Sequence, residues 1–151
     1  MKKILTTTLF LGSLLPFDVR ADAEEIECLA QNIYYEARGE SKAGMIAVGY
    51  VTMNRVNHKA YPDSVCGVVY QKTKLGSKLI CQFSWVCNRK LAPIKSDLYS
   101  KVVEIAETVY NQEVKDPTKG ATHFHSIDIE TRWAATKRVV AQIGNHIFYR
   151  K

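Results

Sequence analysis

A chain of 151 residues, 46% hydrophobic and 24% charged, has room for one ordinary globular domain and is too apolar to be disordered throughout. Its 21 Lys and Arg against 15 Asp and Glu give a net charge of +6, which favours anionic surroundings without naming one. No repeat, heptad run or low-complexity tract is present, which excludes solenoids, coiled coils and collagen-like rods.

Residues 1–23 read as an export signal. Met1-Lys2-Lys3 is a cationic start, Ile4 to Leu15 is a short apolar run, and Ala21-Asp22-Ala23 has the small-x-small form of a cleavage site. The run falls short of the roughly 20 apolar residues that a spanning helix needs. An uncleaved anchor segment is the alternative. Cleavage after Ala23 leaves 18 basic and 13 acidic residues, a net +5, in one domain over 24–151. The expected location is the periplasm or cell envelope, with no stable membrane insertion once the signal is removed. In an oxidising compartment Cys28, Cys66, Cys81 and Cys87 suggest disulfides, for which three pairings exist. Cys81 and Cys87 are close enough to shut a small loop, which would leave Cys28 to Cys66.

Apolar positions Ile26, Leu29, Ala30, Ile33 and Ala37 recur at helical spacing and predict a helix over Glu24 to Gly39. A second helix is expected from Lys42 to Val56. It is apolar around most of its circumference, hence buried, and Gly44, Ala47 and Gly49 would let neighbours come close. Tyr61-Pro62-Asp63-Ser64 marks a turn before a short apolar piece, Val65 to Tyr70. From Gln71 to Lys95 periodicity disappears, and a long functional loop is expected. Ser96 reads as the N-cap of a helix to about Val114. Thr122 to Ile127 alternates as a strand, and Val139–Ile143 and His146–Tyr149 flank Gly144-Asn145 as a hairpin. Helices first and a hairpin last make an α+β domain.

Glu36 is the leading chemical candidate. It lies at the end of the first helix beside Tyr34 and Tyr35, where apolar atoms would shield its carboxyl and raise its pKa. An acid still protonated near neutrality can give a proton to a leaving oxygen. The competing reading is an ion pair with Arg38 or Arg55. Ordinary glycosidases use two carboxylates, and Glu40, one turn further on, is the nearest second one, suited to orientation or solvation. Trp85, Trp133 and Tyr149 offer planes for apolar sugar faces or simply pack, while Gln82, Ser84, Asn145 and His146 can bond hydroxyls and amides. For Phe83 and Phe148 packing is the favoured reading. No C-x-x-C exists and His123-x-His125 is a weak signal alone, so neither metal nor cofactor is expected.

The motifs taken in order, Ile33-Tyr34-Tyr35-Glu36-Ala37-Arg38-Gly39-Glu40, Ala47-Val48-Gly49, Asn54-Arg55-Val56, Tyr61 to Gln71, Gln82-Phe83-Ser84-Trp85 and Ile143 to Tyr149, resemble the SleB-type cell wall hydrolases. The resemblance implies a mostly helical, lysozyme-like core related to resuscitation-promoting factors and lytic transglycosylases. It implies peptidoglycan as substrate, cut between N-acetylmuramic acid and N-acetylglucosamine by lytic transglycosylase or muramidase chemistry, with Glu36 as general acid and base. Intramolecular attack by the muramic 6-hydroxyl would need no second carboxylate. The chain departs from the family pattern at Cys81, Cys87 and His123-Phe124-His125, where His125 contacts substrate or fills a strand. Lys72, Lys74 and Lys78 would meet anionic wall polymers or merely solvate a loop. A catalytically silent peptidoglycan-binding module is the second reading. No helix carries a basic stripe, so nucleic acid is not an expected partner, and a monomer is expected.

Overall fold

The spacing of Leu29, Ala30, Ile33, Tyr34 and Ala37 puts all five on one side of a helix, and all five are buried. Each large apolar side chain so removed from water stabilises the fold by about 1.5–3 kcal/mol before entropy is charged against it. The helix is α1, Phe17–Ala37, and the computed structural model describes residues 17–151. Most of the predicted signal, residues 1–16, lies outside the described residues. The remainder forms the start of α1, seven residues before the predicted Glu24, and every buried residue described in α1 lies at or beyond Cys28.

Helix α2, Lys42–Val56, starts where Ser41 Oγ accepts from the Gly44 N–H at 3.4 Å. It is buried nearly all round, as its composition predicts. Gly49 is the reason it can sit so deep: a Cβ there would come within 3.0 Å of Ile33 Cδ1 and 3.3 Å of Val109 Cγ1. The predicted apolar piece is a short helix, α3, Val65–Val69. Its first N–H groups, at Val65 and Cys66, donate to the Glu25 carboxylate, and the Cys28–Cys66 disulfide ties it to α1.

Helix α4, Ser96–Tyr110, packs on both α1 and α2. Lys95, not Ser96, is the capping residue, and the helix ends before the predicted Val114. There Gln112 adopts φ +55°, and Gln112 N and Glu113 N bond back to Val109 O and Thr108 O. This is a Schellman stop made without glycine, so the sequence gives no warning of it.

The supposed loop contains an antiparallel hairpin, β1 (Lys72–Leu75) and β2 (Lys78–Cys81), turning at Gly76 with φ +61°. The Cys81–Cys87 disulfide joins it to a 3-10 turn over Ser84–Cys87. The carboxy-terminal hairpin, β4 (Arg138–Ile143) and β5 (His146–Arg150), forms as expected. Strand β3 (His123–Ser126) adds to it, giving a three-stranded sheet of order β3-β5-β4 that lies against α2. The fold is α+β, with a helical core and a small antiparallel sheet.

Candidate active site

A cleft of about 480 Å³ opens between the helical core and the sheet. The end of α1 supplies Glu36, the end of α2 supplies Arg55, and the segment after β2 supplies Gln82, Phe83 and Ser84. Strands β3 and β5 bring His123, His125 and His146, and the connection after β3 brings Trp133.

Glu36 is half-buried in the wall. Burial raises its carboxyl from 4.5 to about 7, against the Arg55 guanidinium, which pulls it down. The two sequence readings of Glu36 thus resolve into one arrangement, a shielded acid that feels Arg55 through space. Arg55 is itself committed elsewhere. Its Nε donates to Thr122 O at 2.8 Å, its Cζ lies 5.0 Å from the Phe83 ring and 5.5 Å from the Tyr61 ring, and its Nη1 is buried without a hydrogen-bond partner.

Two histidines of the cleft, His123 and His146, are biased towards neutrality. Burial first, then Lys137 and Arg55, push His123 down to about 4. Burial also lowers His146, opposed by Glu40, whose Oε1 lies 3.7 Å from His146 Nδ1. His125 Nδ1 faces Ser126 O at 2.7 Å and donates to it, while Nε2 is paired with the Tyr149 hydroxyl, also at 2.7 Å. Both ring nitrogens of His125 are therefore occupied. Among the described residues no group of three His, Cys, Asp or Glu is placed to hold a metal ion. Of the acids described, Glu36 alone lines the cleft.

Of the residues singled out in the sequence, Glu36, Gln82, Ser84, His125, Trp133 and His146 meet in this cleft. Tyr34 and Trp85 lie outside its lining. Tyr34 is 1% exposed and its hydroxyl accepts from Lys95 N, which makes it core. Trp85 is 8% exposed, stacks on Tyr35 at 4.7 Å, and donates from Nε1 to Asn32 Oδ1 at 2.9 Å. Tyr149 is buried behind His125 and orients it. Glu40 and Asn145 stand outside the lining: Glu40 Oε2 accepts from Asn145 N at 3.1 Å and pins the β4–β5 turn to the α1–α2 connection. Arg55 and His123 are lining residues that the sequence did not promote. The available signal for Arg55 was a cation in the last turn of a helix that is apolar around most of its circumference, where it must be buried for a reason.

One shielded acid facing imidazoles, an amide and an indole defines an acid-bearing cleft in a small α+β domain. A family profile described as Cell Wall Hydrolase matches residues 39–149, and the chain belongs to that family. The spore cortex-lytic enzyme of Halalkalibacterium halodurans is 30% identical over 125 residues, covering 82% of this chain and 34% of that protein. The spore cortex-lytic enzyme of Oceanobacillus iheyensis is also 30% identical, with 82% and 41% covered. The chain thus spans well under half the length of these relatives. The crystal structure of the catalytic domain of the Bacillus cereus SleB protein superposes with a TM-score of 0.64 at 29% identity, covering 85% of this chain and 91% of that one. The catalytic domain of the germination-specific lytic transglycosylase SleB from Bacillus anthracis gives a TM-score of 0.64 at 28% identity, with 83% and 93% covered. Glu36 lies just before the profile match, within the reach of the longer alignments.

Proposed function

We propose that this chain is an exported enzyme that cleaves the glycan strands of peptidoglycan between N-acetylmuramic acid and N-acetylglucosamine, with Glu36 as general acid and then general base. The observation that carries the reading is the Glu36 carboxyl, held at about 7 in a cleft whose other described lining residues include no acid. Protonated Glu36 gives its proton to the glycosidic oxygen, and the C–O bond to the muramic C1 breaks. The resulting carboxylate takes the proton of the muramic 6-hydroxyl as that oxygen bonds to C1, which closes a 1,6-anhydro ring and restores the acid. No water is consumed, so no second carboxylate is needed to hold one. Trp133 offers a plane for a sugar face, and Gln82, Ser84 and the histidines offer hydrogen bonds. The nearby Arg55 cation steadies the carboxylate between the two proton transfers.

The test is Glu36→Gln assayed on purified sacculi. The variant folds, as circular dichroism reports, and no longer clears a sacculus suspension. Clearing by a folded Glu36→Gln protein overturns the assignment, and a wild-type protein that binds without clearing is the silent binding module instead. Mass spectrometry of released fragments then reads the chemistry: an anhydro terminus is lighter by one water than a hydrolysed one, and hydrated ends identify a muramidase.

A further inference from the structure

Between Asp63 and Asp97 the sequence has no acidic residue and six cations, Lys72, Lys74, Lys78, Arg89, Lys90 and Lys95. The β1–β2 hairpin carries Lys72, Lys74 and Lys78, and Lys72 to Ile80 are all exposed. Leu75 is 68% exposed, Leu79 49% and Ile80 42%, three aliphatic side chains in water on one small projection. Cross-strand partners share a face, so Lys74 sits beside Leu79 on one face, while Leu75 sits beside Lys78 and Thr73 beside Ile80 on the other. Each face is therefore both cationic and aliphatic. An isolated pair of strands is marginal in water, yet this one is held out by the Cys81–Cys87 disulfide instead of being folded onto the core.

A protein laid on one face would leave the aliphatic groups of the other in water. A glycan or an anionic wall polymer would satisfy the lysines and leave Leu75, Leu79 and Ile80 unpartnered, since sugar faces favour aromatic planes. Immersion edge-on in an interface that is anionic outside and apolar within covers both faces at once. Aliphatic side chains enter the acyl boundary while lysine ammonium groups stay at the phosphates. We infer that the β1–β2 hairpin is a peripheral docking element for anionic phospholipid headgroups. Strand β2 runs directly into Gln82, Phe83 and Ser84, so a docked hairpin would hold the cleft next to the bilayer surface. The inference does not depend on what the cleft does.

The probe must report the hairpin itself. All four cysteines are in disulfides, so Ser77→Cys in the turn gives the full chain a single thiol for a polarity-sensitive fluorophore. Phosphatidylglycerol-containing vesicles shift its emission to the blue with a several-fold gain, and high salt reverses the change. Replacing Lys72, Lys74 and Lys78 by Gln raises the lipid concentration required on the order of a hundredfold. Leu75→Ser with Leu79→Ser removes the blue shift. No shift on the anionic vesicles overturns the inference even if the protein sediments with them, because attachment then lies elsewhere. An equal shift on phosphatidylcholine vesicles, or a shift on sacculi free of lipid, overturns it as well.

Discussion

Holding Glu36 at about 7 when its ordinary value is 4.5 means that the folded chain binds a proton the unfolded chain has already released. The protonated form favours the fold. That contribution is fully present below about pH 4.5 and is lost as the pH rises through about 7, a swing of about 1–3 kcal/mol allowing for partial exposure. Glu36→Gln has no proton to lose, so its melting temperature should rise relative to that of the wild type from pH 5 to pH 8, the depressed histidines acting on both proteins alike. Parallel pH profiles for the two proteins would mean that the carboxyl is not desolvated. In the role proposed for Glu36 the same ionisation governs activity, and kcat/KM should decline above about pH 7. Arg55 opposes the rise, so Arg55→Met should move this alkaline limb to higher pH, and Arg55→Lys, which keeps the charge, should leave it near that of the wild type. A lower turnover with an unmoved limb would make Arg55 a packing residue only.

At the level of elements, the β4–β5 turn is joined to the end of α1 by one carboxylate, and that joint is sterically exact only for glycine. Gly144 has φ +56°, and a Cβ there would fall 2.1 Å from Glu40 Oε2. Gly144→Ala should therefore cost about 1–3 kcal/mol in urea unfolding, through backbone strain and displacement of Glu40. A variant as stable as the wild type would show that Glu40 swings aside freely. The elements differ in how plainly the sequence announces them. Helix α2 and the β4–β5 hairpin are legible because apolar content and Gly144-Asn145 are local signals. The β1–β2 hairpin is not, since strands exposed on both faces have no apolar alternation to read. Trp85 and Trp133 look alike in sequence, each with a polar residue before it and a small apolar one after. What separates them is Asn32, 53 positions from Trp85, which is wholly buried and bonds both Trp85 Nε1 and Thr52 Oγ1. Glu36 was legible as a shielded acid, whereas the sheet that completes its cleft depends on β3 pairing with β5, partners 20 to 26 positions apart.

Across the whole molecule, the two disulfides constrain the unfolded chain to unequal extents. Cys28 and Cys66 are 38 positions apart and link α1 to α3 inside the core, whereas Cys81 and Cys87 are 6 apart and staple the exposed hairpin. Loop-closure entropy assigns about 4 kcal/mol to the first and about 2 kcal/mol to the second. Against a total of about 5–15 kcal/mol for a domain of this size, losing the first is severe and losing the second is local. Cys28→Ala with Cys66→Ala should lower the melting temperature of the entire domain in one cooperative step. Cys81→Ala with Cys87→Ala should leave most of that transition in place and increase amide exchange chiefly over 71–95, so that the cleft loses the fixed positions of Gln82 and Ser84 before the core unfolds. Reductant added to the wild type should reproduce the larger loss. If both pairs of substitutions depressed global stability equally, the hairpin would be part of the cooperative core, and a free projection available for docking would no longer describe it.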